Sequence, residues 1–483
     1  MEPEIPNAEA LTPELSKPSM ARLSNRGVAN MVPDAIKAIM KAGSSNPHHP
    51  QHNADGIVSL GVAENRLLHA GIAQHVSSHM HVSQRMLTYG DGSVGSDVLR
   101  QAIADFINDR FQPVEPLGYS SVTVLNGVSA VLDSLAWCIC DEGDSILIGK
   151  PFYVGFVSDF MNRAKVDLVA VTFGEVDPMS LAAVAHYERA MKEAVTRGKK
   201  LKALVLCSPH NPLGRCYTPE VLEAYLRLCS KYWIHMISDE VYAMSVFPNG
   251  DIPNPVPFRS VLSLEYRKLI DPSLLHVLYG MSKDFCANGL RIGAFISTTN
   301  PELHAAMRAI SKFAWSSSLA DLAWSSILSD GTFLQEYLIK ITARLTEAYN
   351  LCTSILRGMN VPYLPANSGP FLWINLSGFL EHKTIESERD LAWQMIKAGV
   401  WLATGEAYRS EEPGWFRLTF AVSETEIRMG LERYVEQLVG YGGIASWLIW
   451  RLQTCACSGT GQHCNSLKPD MREPLGARDP ESD

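Results

Sequence analysis

The chain has 483 residues, 46% of them hydrophobic and 19% charged, with a formal net charge of −9. That is a globular composition with room for two or three domains, and its acidic balance excludes a nucleic-acid or anionic-membrane surface as the main partner. Ten cysteines are scattered without paired Cys-x-x-Cys halves, which excludes a zinc ribbon, and no apolar run reaches the roughly 18 residues of a membrane helix.

Residues 1–25 are polar and Pro-rich and are expected to form a loose arm. They lack a positive start and apolar core, so no signal peptide is expected, and the thiols point to a reducing cytoplasm. Residues 33–42 predict a short helix. Residues 44–55 hold His48, His49 and His52 among prolines and asparagines, and read as a solvated loop, not a metal site. Residues 57–63 form a strand-like run ending in Glu64-Asn65. Residues 89–95 (Tyr-Gly-Asp-Gly-Ser-Val-Gly) are glycine-dense and lead into an amphipathic helix over 96–111, with Ser96 as its N-cap. No Gly-Lys-Ser/Thr follows, so this is not a nucleotide P-loop.

From residue 122 short apolar strands alternate with helices. Strands are expected over 122–125, 145–148, 166–171, 201–207, 233–237 and 274–278. Helices are expected up to about 140, over 181–197 and over 219–232. This alternation predicts a mostly parallel α/β sheet, in which ligands gather at the carboxyl ends of strands. After residue 300 long helices follow, over 301–311 and 331–359. An antiparallel-looking section comes next, over 371–376, 400–404 and 415–421, and then a closing helix over 423–440. The expected organisation is an arm (1–25), an N-terminal part of a small domain (26–60), a large domain (61–310), a small α+β domain (311–440) and a poorly ordered tail (441–483).

The polar turns at the expected strand ends carry the chemistry. Lys283 follows a buried strand, where an amine is costly unless it is neutralised or used, for example as a Schiff base with an aldehyde cofactor. Ser282 and Arg291 beside it suit an anion, most simply that cofactor's phosphate. Asn126 to Ser129 open a helix, whose N–H groups and dipole suit the same phosphate. Asp239 is placed to sit under a pyridine nitrogen, where a carboxylate keeps the ring protonated and electron-withdrawing. Tyr242 and Asn211 can hydrogen-bond a ring hydroxyl, and Tyr153 can stack on the ring. Arg417, after Trp415-Phe416, is a candidate bidentate clamp for a substrate α-carboxylate. Taken singly, each has a bland reading as a turn former, a core aromatic or a surface ion pair. Taken together, five strand ends each supply the residue type that one cofactor needs.

The motifs that carry a family likeness are Gly61-Val62-Ala63-Glu64-Asn65, residues 89–95 with Arg100-Gln101-Ala102-Ile103, Asn211-Pro212-Leu213-Gly214, Ser238-Asp239-Glu240-Val241-Tyr242, Ser282-Lys283 with Arg291, and Gly414-Trp415-Phe416-Arg417. Through them, residues 25–440 resemble the class I/II aminotransferases, which are fold-type I enzymes dependent on pyridoxal 5′-phosphate. Within that family the chain looks most like the 1-aminocyclopropane-1-carboxylate synthase-like branch, particularly members of fungal specialised metabolism. The resemblance implies a large domain with a mostly parallel seven-stranded sheet and a smaller α+β domain. It implies that Lys283 holds the cofactor and moves the substrate α-proton. Asp239 would meet the pyridine nitrogen, Asn211 and Tyr242 the ring oxygen, and Tyr153 the ring face. Val128, Ser129, Ser282 and Arg291 would meet the phosphate, and Arg417 and Glu64 the amino-acid substrate. It also implies a homodimer in which residues 89–95, including Tyr89, complete the neighbour's site.

Two positions depart from that pattern. Gly280 stands where the branch usually has a serine, so one phosphate contact is missing or replaced. Ser93 stands where true synthases have a tyrosine tied to the sulfonium substrate, which counts against cyclopropane formation. The expected activity is therefore transamination of an L-amino acid, with carbon–sulfur lyase and then synthase-type chemistry as alternatives. An inactive cofactor-binding regulator is the alternative from another class. No metal, nucleic-acid or membrane partner is expected.

Overall fold

The computed structural model describes residues 23–31 and 34–439. Its strands, in chain order, are β1 (Val58–Ser59), β2 (Val122–Leu125), β3 (Ser145–Gly149), β4 (Asp167–Val171), β5 (Leu201–Cys207), β6 (His235–Asp239), β7 (Leu275–Gly280), β8 (Gly293–Ile296), β9 (Tyr363–Leu364), β10 (Phe371–Asn375), β11 (Val400–Trp401), β12 (Ala403–Thr404) and β13 (Trp415–Thr419).

The alternating segments between 122 and 296 assemble into one seven-stranded sheet in the order β2-β8-β7-β6-β5-β3-β4. β3 through β7 pair in parallel, while β8 runs antiparallel to both β7 and β2. β2, β3, β7 and β8 are buried at every position, which is why their sequences are continuous apolar runs without alternation. Crossover helices join the parallel strands, including Val128–Ile139, Ala183–Thr196 and Pro219–Tyr232. Pro219 starts the last of these at its first turn. Trp233 ends it in a left-handed conformation with φ 53°, so the strand expected from residue 233 begins only at His235.

The reversed strand β8 matters for function. Because it runs against its neighbours, its amino end lies at the edge where β2, β7, β6, β5 and β3 end. A residue just before β8, such as Arg291, therefore joins residues that lie just after the other strands.

A second region is built on the antiparallel sheet β12-β13-β10-β9, with β1 and β11 forming a separate parallel pair. The expected strand over 400–404 is thus two short strands serving two sheets: Val400 pairs with Val58, and Ala403 with Arg417. The strand-like run at 57–63 shortens to two residues for the same reason, since only Val58 and Ser59 have ladder partners. The 28-residue helix Gly331–Gly358 agrees with its apolar period. The helices His69–His79, Ser318–Ser329 and Ile385–Lys397 were not anticipated. The last carries a start signal in its sequence: Thr384 accepts from the Ser387 N–H, and Glu386 and Glu388 lie in the first turn. A short helix, Asn25–Ala29, capped by Ser24, begins at the end of the expected arm (1–25), of which residues 1–22 lie outside the described residues. The tail expected at 441–483 lies outside the described residues. Among the described residues no helix is long and apolar enough to cross a membrane.

Candidate active site

A cavity of about 680 Å³ opens at the carboxyl edge of the seven-stranded sheet. Val128 and Ser129 reach it from the end of β2, Tyr153 from β3, Asn211 from β5, Asp239 and Tyr242 from β6, and Ser282 and Lys283 from β7. Arg291 reaches it from the start of β8. Nine of the residues singled out in the sequence thus line one space, although they span more than 160 positions. Arg417, Glu64 and Tyr89 are not among the lining residues.

Lys283 sits on a four-residue helix, Met281–Asp284, that directly follows β7. Asp284 anchors this helix. Its carboxylate accepts from the Met244 N–H at 2.9 Å, the Ser245 hydroxyl at 2.5 Å and the Tyr279 hydroxyl at 3.0 Å. The Tyr337 hydroxyl donates to its carbonyl at 2.9 Å. The Lys283 amine donates to the Ala63 carbonyl at 2.9 Å. Burial lowers its pKa to about 8, assisted by Arg417 and Arg291 and opposed by Glu64 and Asp239. An amine of this kind loses its proton near pH 8 instead of near 10.5, which suits a nucleophile or proton carrier. Glu64 is near enough to act on it by charge, although it does not line the cavity.

Asp239, the last residue of β6, is 5% exposed. Burial raises its pKa to about 7; the Val241 N–H, at 3.4 Å, and Lys283 pull the other way. Its neighbour Glu240 is held away from the cavity by Ser238 and the Val261 N–H. A buried carboxylate with this thin a set of donors fits a cationic ring nitrogen. Asn211 donates to the Tyr242 hydroxyl at 3.4 Å, which leaves the tyrosine's own proton free to be donated.

Arg417 lies on β13 in the other sheet and is 3% exposed. It donates to Asn211 Oδ1 at 3.1 Å and to the Gly61 carbonyl at 2.7 Å. Its guanidinium lies 5.0 Å from the Phe371 ring centre and 4.9 Å from that of Tyr408. Its Nε has no partner, and among the described residues no carboxylate is within ion-pair distance of it. Asn211 therefore links a buried, uncompensated guanidinium to the cavity wall.

The side of the cavity near Arg291 is shaped by glycine. Gly127 has φ 89°, and a Cβ there would run into the Arg291 guanidinium. Gly280 and Gly293 are register partners on β7 and β8. A Cβ on Gly293 would lie 2.6 Å from the Val128 amide nitrogen, and one on Gly280 would lie 3.1 Å from Val128 Cγ2 and 3.2 Å from the Ile292 carbonyl. The paired glycines let the start of helix Val128–Ile139 sit against the sheet. A serine at Gly280 would therefore require Val128 or the Ile292 carbonyl to give by a few tenths of an ångström.

Asp159 was not anticipated. It lines the cavity from helix Gly155–Met161, six residues after Tyr153. One carboxylate oxygen is buried without a partner. Burial raises its pKa to about 7, with the charges of Asp239 and Asp133 adding and the Ser129 hydroxyl opposing. Nothing in the sequence around it marks it.

Tyr89 is 84% exposed, with its ring 5.4 Å from that of Trp315. It borders a second cavity of about 760 Å³ with Gly90, Asp91, Gly92 and Trp315. The Ser93 hydroxyl hydrogen-bonds that of Ser311, and Ser96 is bound through both its N–H and its hydroxyl to Asp321. Neither serine faces the first cavity. The histidine loop holds together internally: His48 contacts the Ala54 carbonyl, and His49 accepts from the Gln51 and His52 amides.

The donor set fits pyridoxal 5′-phosphate: a low-pKa amine, a buried carboxylate short of donors, a phenol with a spare proton, and a glycine-cleared anion niche. The family model "Aminotransferase class I and II" matches residues 55–433. A "Probable inactive 1-aminocyclopropane-1-carboxylate synthase-like protein 2" of Mus musculus is 34% identical over 82% of this chain and 68% of its own. A "Probable aminotransferase gliI" of Aspergillus fumigatus is 33% identical over 75% of this chain and 84% of its own. A "Probable aminotransferase aclI" of Aspergillus oryzae is 32% identical, over 87% and 98% respectively. Among solved structures, aspartate aminotransferase from Thermus thermophilus with maleate superposes with a TM-score of 0.70 at 22% identity, over 86% of this chain and all of that one.

Proposed function

The chain belongs to the class I and II aminotransferase family, and from that premise we propose that it transfers the amino group of an L-amino acid using pyridoxal 5′-phosphate. When bound, the cofactor supplies an electron sink that stabilises a carbanion at the substrate's α-carbon. Lys283 holds it and moves the α-proton through Nζ, which a pKa of about 8 suits. Asp239 accepts from the ring nitrogen, Tyr242 and Asn211 address the ring oxygen, and Tyr153 covers one face. The Val128 amide, Ser129, Ser282 and Arg291 hold the phosphate. Arg417 takes the substrate carboxylate, and Glu64, near enough to act on the Lys283 charge, also meets the substrate.

The observation that carries this reading is Arg417: a buried guanidinium without a carboxylate partner, joined through Asn211 to a cavity that holds a depressed lysine. Purified protein with added cofactor should absorb in the visible, and Lys283→Ala should lose that band. A colourless wild type would sink the proposal. Transamination is favoured over synthase chemistry because Ser93 is engaged with Ser311 and offers no phenol. Product analysis on an amino-acid panel that includes S-conjugated cysteines separates the outcomes. A keto acid with aminated cofactor marks transamination, and a keto acid with ammonia and a thiol marks a lyase. Lys283, Asp239 and Arg417 are all present, which argues against an inactive regulator even though one relative bears the word inactive in its name.

The same proposal includes a homodimer in the cytoplasm. Leu87, Tyr89, Val98, Phe313 and Leu319 are exposed apolar side chains on or beside the glycine-dense segment. Seven described cysteines are free thiols. Sedimentation equilibrium at micromolar concentration should give twice the chain mass, and a monomer would refute the dimer. We also assign residues 61–310 to the cofactor-binding large domain and residues 26–60 with 311–440 to the small one; pairing of β1 with β11 supports grouping the last two.

A further inference from the structure

We propose that His75, His79 and Asp330 form a binding site for a divalent first-row metal ion, zinc by preference, separate from the cofactor cavity. One ligand atom from each lies within 4.8 Å of the others. His75 and His79 are four residues apart on helix His69–His79, so both project from one face. Asp330 arrives from the junction between helices Ser318–Ser329 and Gly331–Gly358.

His79 and Asp330 each have one atom engaged, and His75 has a ring nitrogen without a partner. His75 is 6% exposed, and its Nε2 is buried with no hydrogen-bond partner. A buried ring nitrogen left without a partner is costly, and a metal ion removes that cost. The His75 ring is held between Phe333, at 3.9 Å between ring centres, and His79, at 4.1 Å, both within 23° of parallel. The Ser326 carbonyl also faces it. His79 Nδ1 is 2.9 Å from the His75 carbonyl. As a donor to that carbonyl it fixes the tautomer that presents Nε2, the outer support that metal-binding histidines commonly have. Asp330 Oδ1 accepts from the Phe333 N–H at 3.0 Å, capping the long helix, which leaves Oδ2 for an ion.

Two imidazoles and a carboxylate with an open side suit a tetrahedral zinc ion that keeps one water. Bonds of about 2.1 Å require ligand atoms roughly 3.4 Å apart. The three atoms lie within 4.8 Å of one another, and only His75 is buried; His79 is exposed and Asp330 half-buried, so both have room to adjust to that spacing. The ion would tie helix His69–His79 to the start of the 28-residue helix.

Holoprotein freed of metal with a chelator should bind one Co²⁺ or Zn²⁺ per chain in calorimetry, with the cofactor's visible band unchanged. Co²⁺ should show the visible absorption of a low-coordinate site. His79→Ala and Asp330→Asn should each raise the dissociation constant by about 10- to 100-fold or more, since even outer-shell partners matter on that scale. Asp330→Asn keeps an oxygen for the Phe333 amide, so its metal-free melting temperature should stay near that of the wild type. Zn²⁺ should raise the melting temperature of the wild type and not that of His79→Ala. Replacing His48, His49 and His52 together, or His69 and His81, with alanine should leave binding unchanged. The proposal is overturned by no saturable binding in the wild type, by equal affinity in both variants, or by binding lost only in the control sets.

Discussion

The two sheets each bury a cation, and they manage it in opposite ways. Lys283, at the edge of the seven-stranded sheet, has its pKa lowered to about 8, so part of its population sheds the charge. Arg417, on the four-stranded sheet, has no such route, because a guanidinium stays protonated in proteins. It is held instead by two carbonyl-type oxygens and two aromatic faces, with its Nε unmatched. The contrast fits the division of roles proposed above, in which the cation that can discharge handles protons and the one that cannot takes an anion.

Exchanging the two residue types is the strongest way to break this contrast. Lys283→Arg keeps a positive charge but removes a dischargeable amine, so kcat/KM should fall by about 10⁴-fold or more and the visible band should disappear. Near-normal turnover would refute the assignment. The reverse exchange, Arg417→Lys, keeps charge but loses the planar fork. Steady-state kinetics should show kcat/KM down about 100-fold, mainly through KM, with the cofactor band intact.

The stability of the cofactor-free protein sharpens the same point. The lysine is buried with a folded pKa of about 8 against an ordinary 10.5. Below pH 8 both folded and unfolded chains carry the proton, so the burial cost is fully present; it fades as pH rises from 8 towards 10.5. Lys283→Met should therefore gain stability relative to wild type at pH 7, and the pH-dependent part of that gain, of order 3 kcal/mol, should be gone near pH 10.5. Denaturant unfolding of both apo proteins at the two pH values measures it. A pH-independent difference would mean that the amine is not desolvated.

The smallest effect concerns the niche behind the lysine. Gly280→Ser should cost about 1–3 kcal/mol, because its Cβ meets Val128 and the Ile292 carbonyl. Cofactor affinity should not improve. Tighter binding without loss of stability would show that Gly280 is a missing phosphate contact and not a packing requirement.

Much of the cofactor site was legible because it is local. Asn211, Asp239, Tyr242, Ser282 and Lys283 each follow a short apolar run, and the two-state alternation of strand and helix places such positions at one edge of a parallel sheet. Asp159 was hidden because nothing in its helix marks it; only packing brings it beside Asp239. The His75, His79 and Asp330 cluster was hidden for a different reason. The histidine pair is visible at a spacing of four, but the carboxylate lies some 250 positions later on an unrelated helix. Short strands misled where they serve two sheets, as at 400–404.

The sequence by itself determined the α/β alternation, the strand-end chemistry and the family, because each rests on periodicity or on residues within a few positions of one another. Only the tertiary structure decided that β8 runs backwards and so delivers Arg291 to the cavity. It alone decided that Gly280 answers to Val128, and that Arg417 reaches the cavity through Asn211. Those are contacts between segments distant in the chain, settled by which strands pair and how closely a helix can approach them.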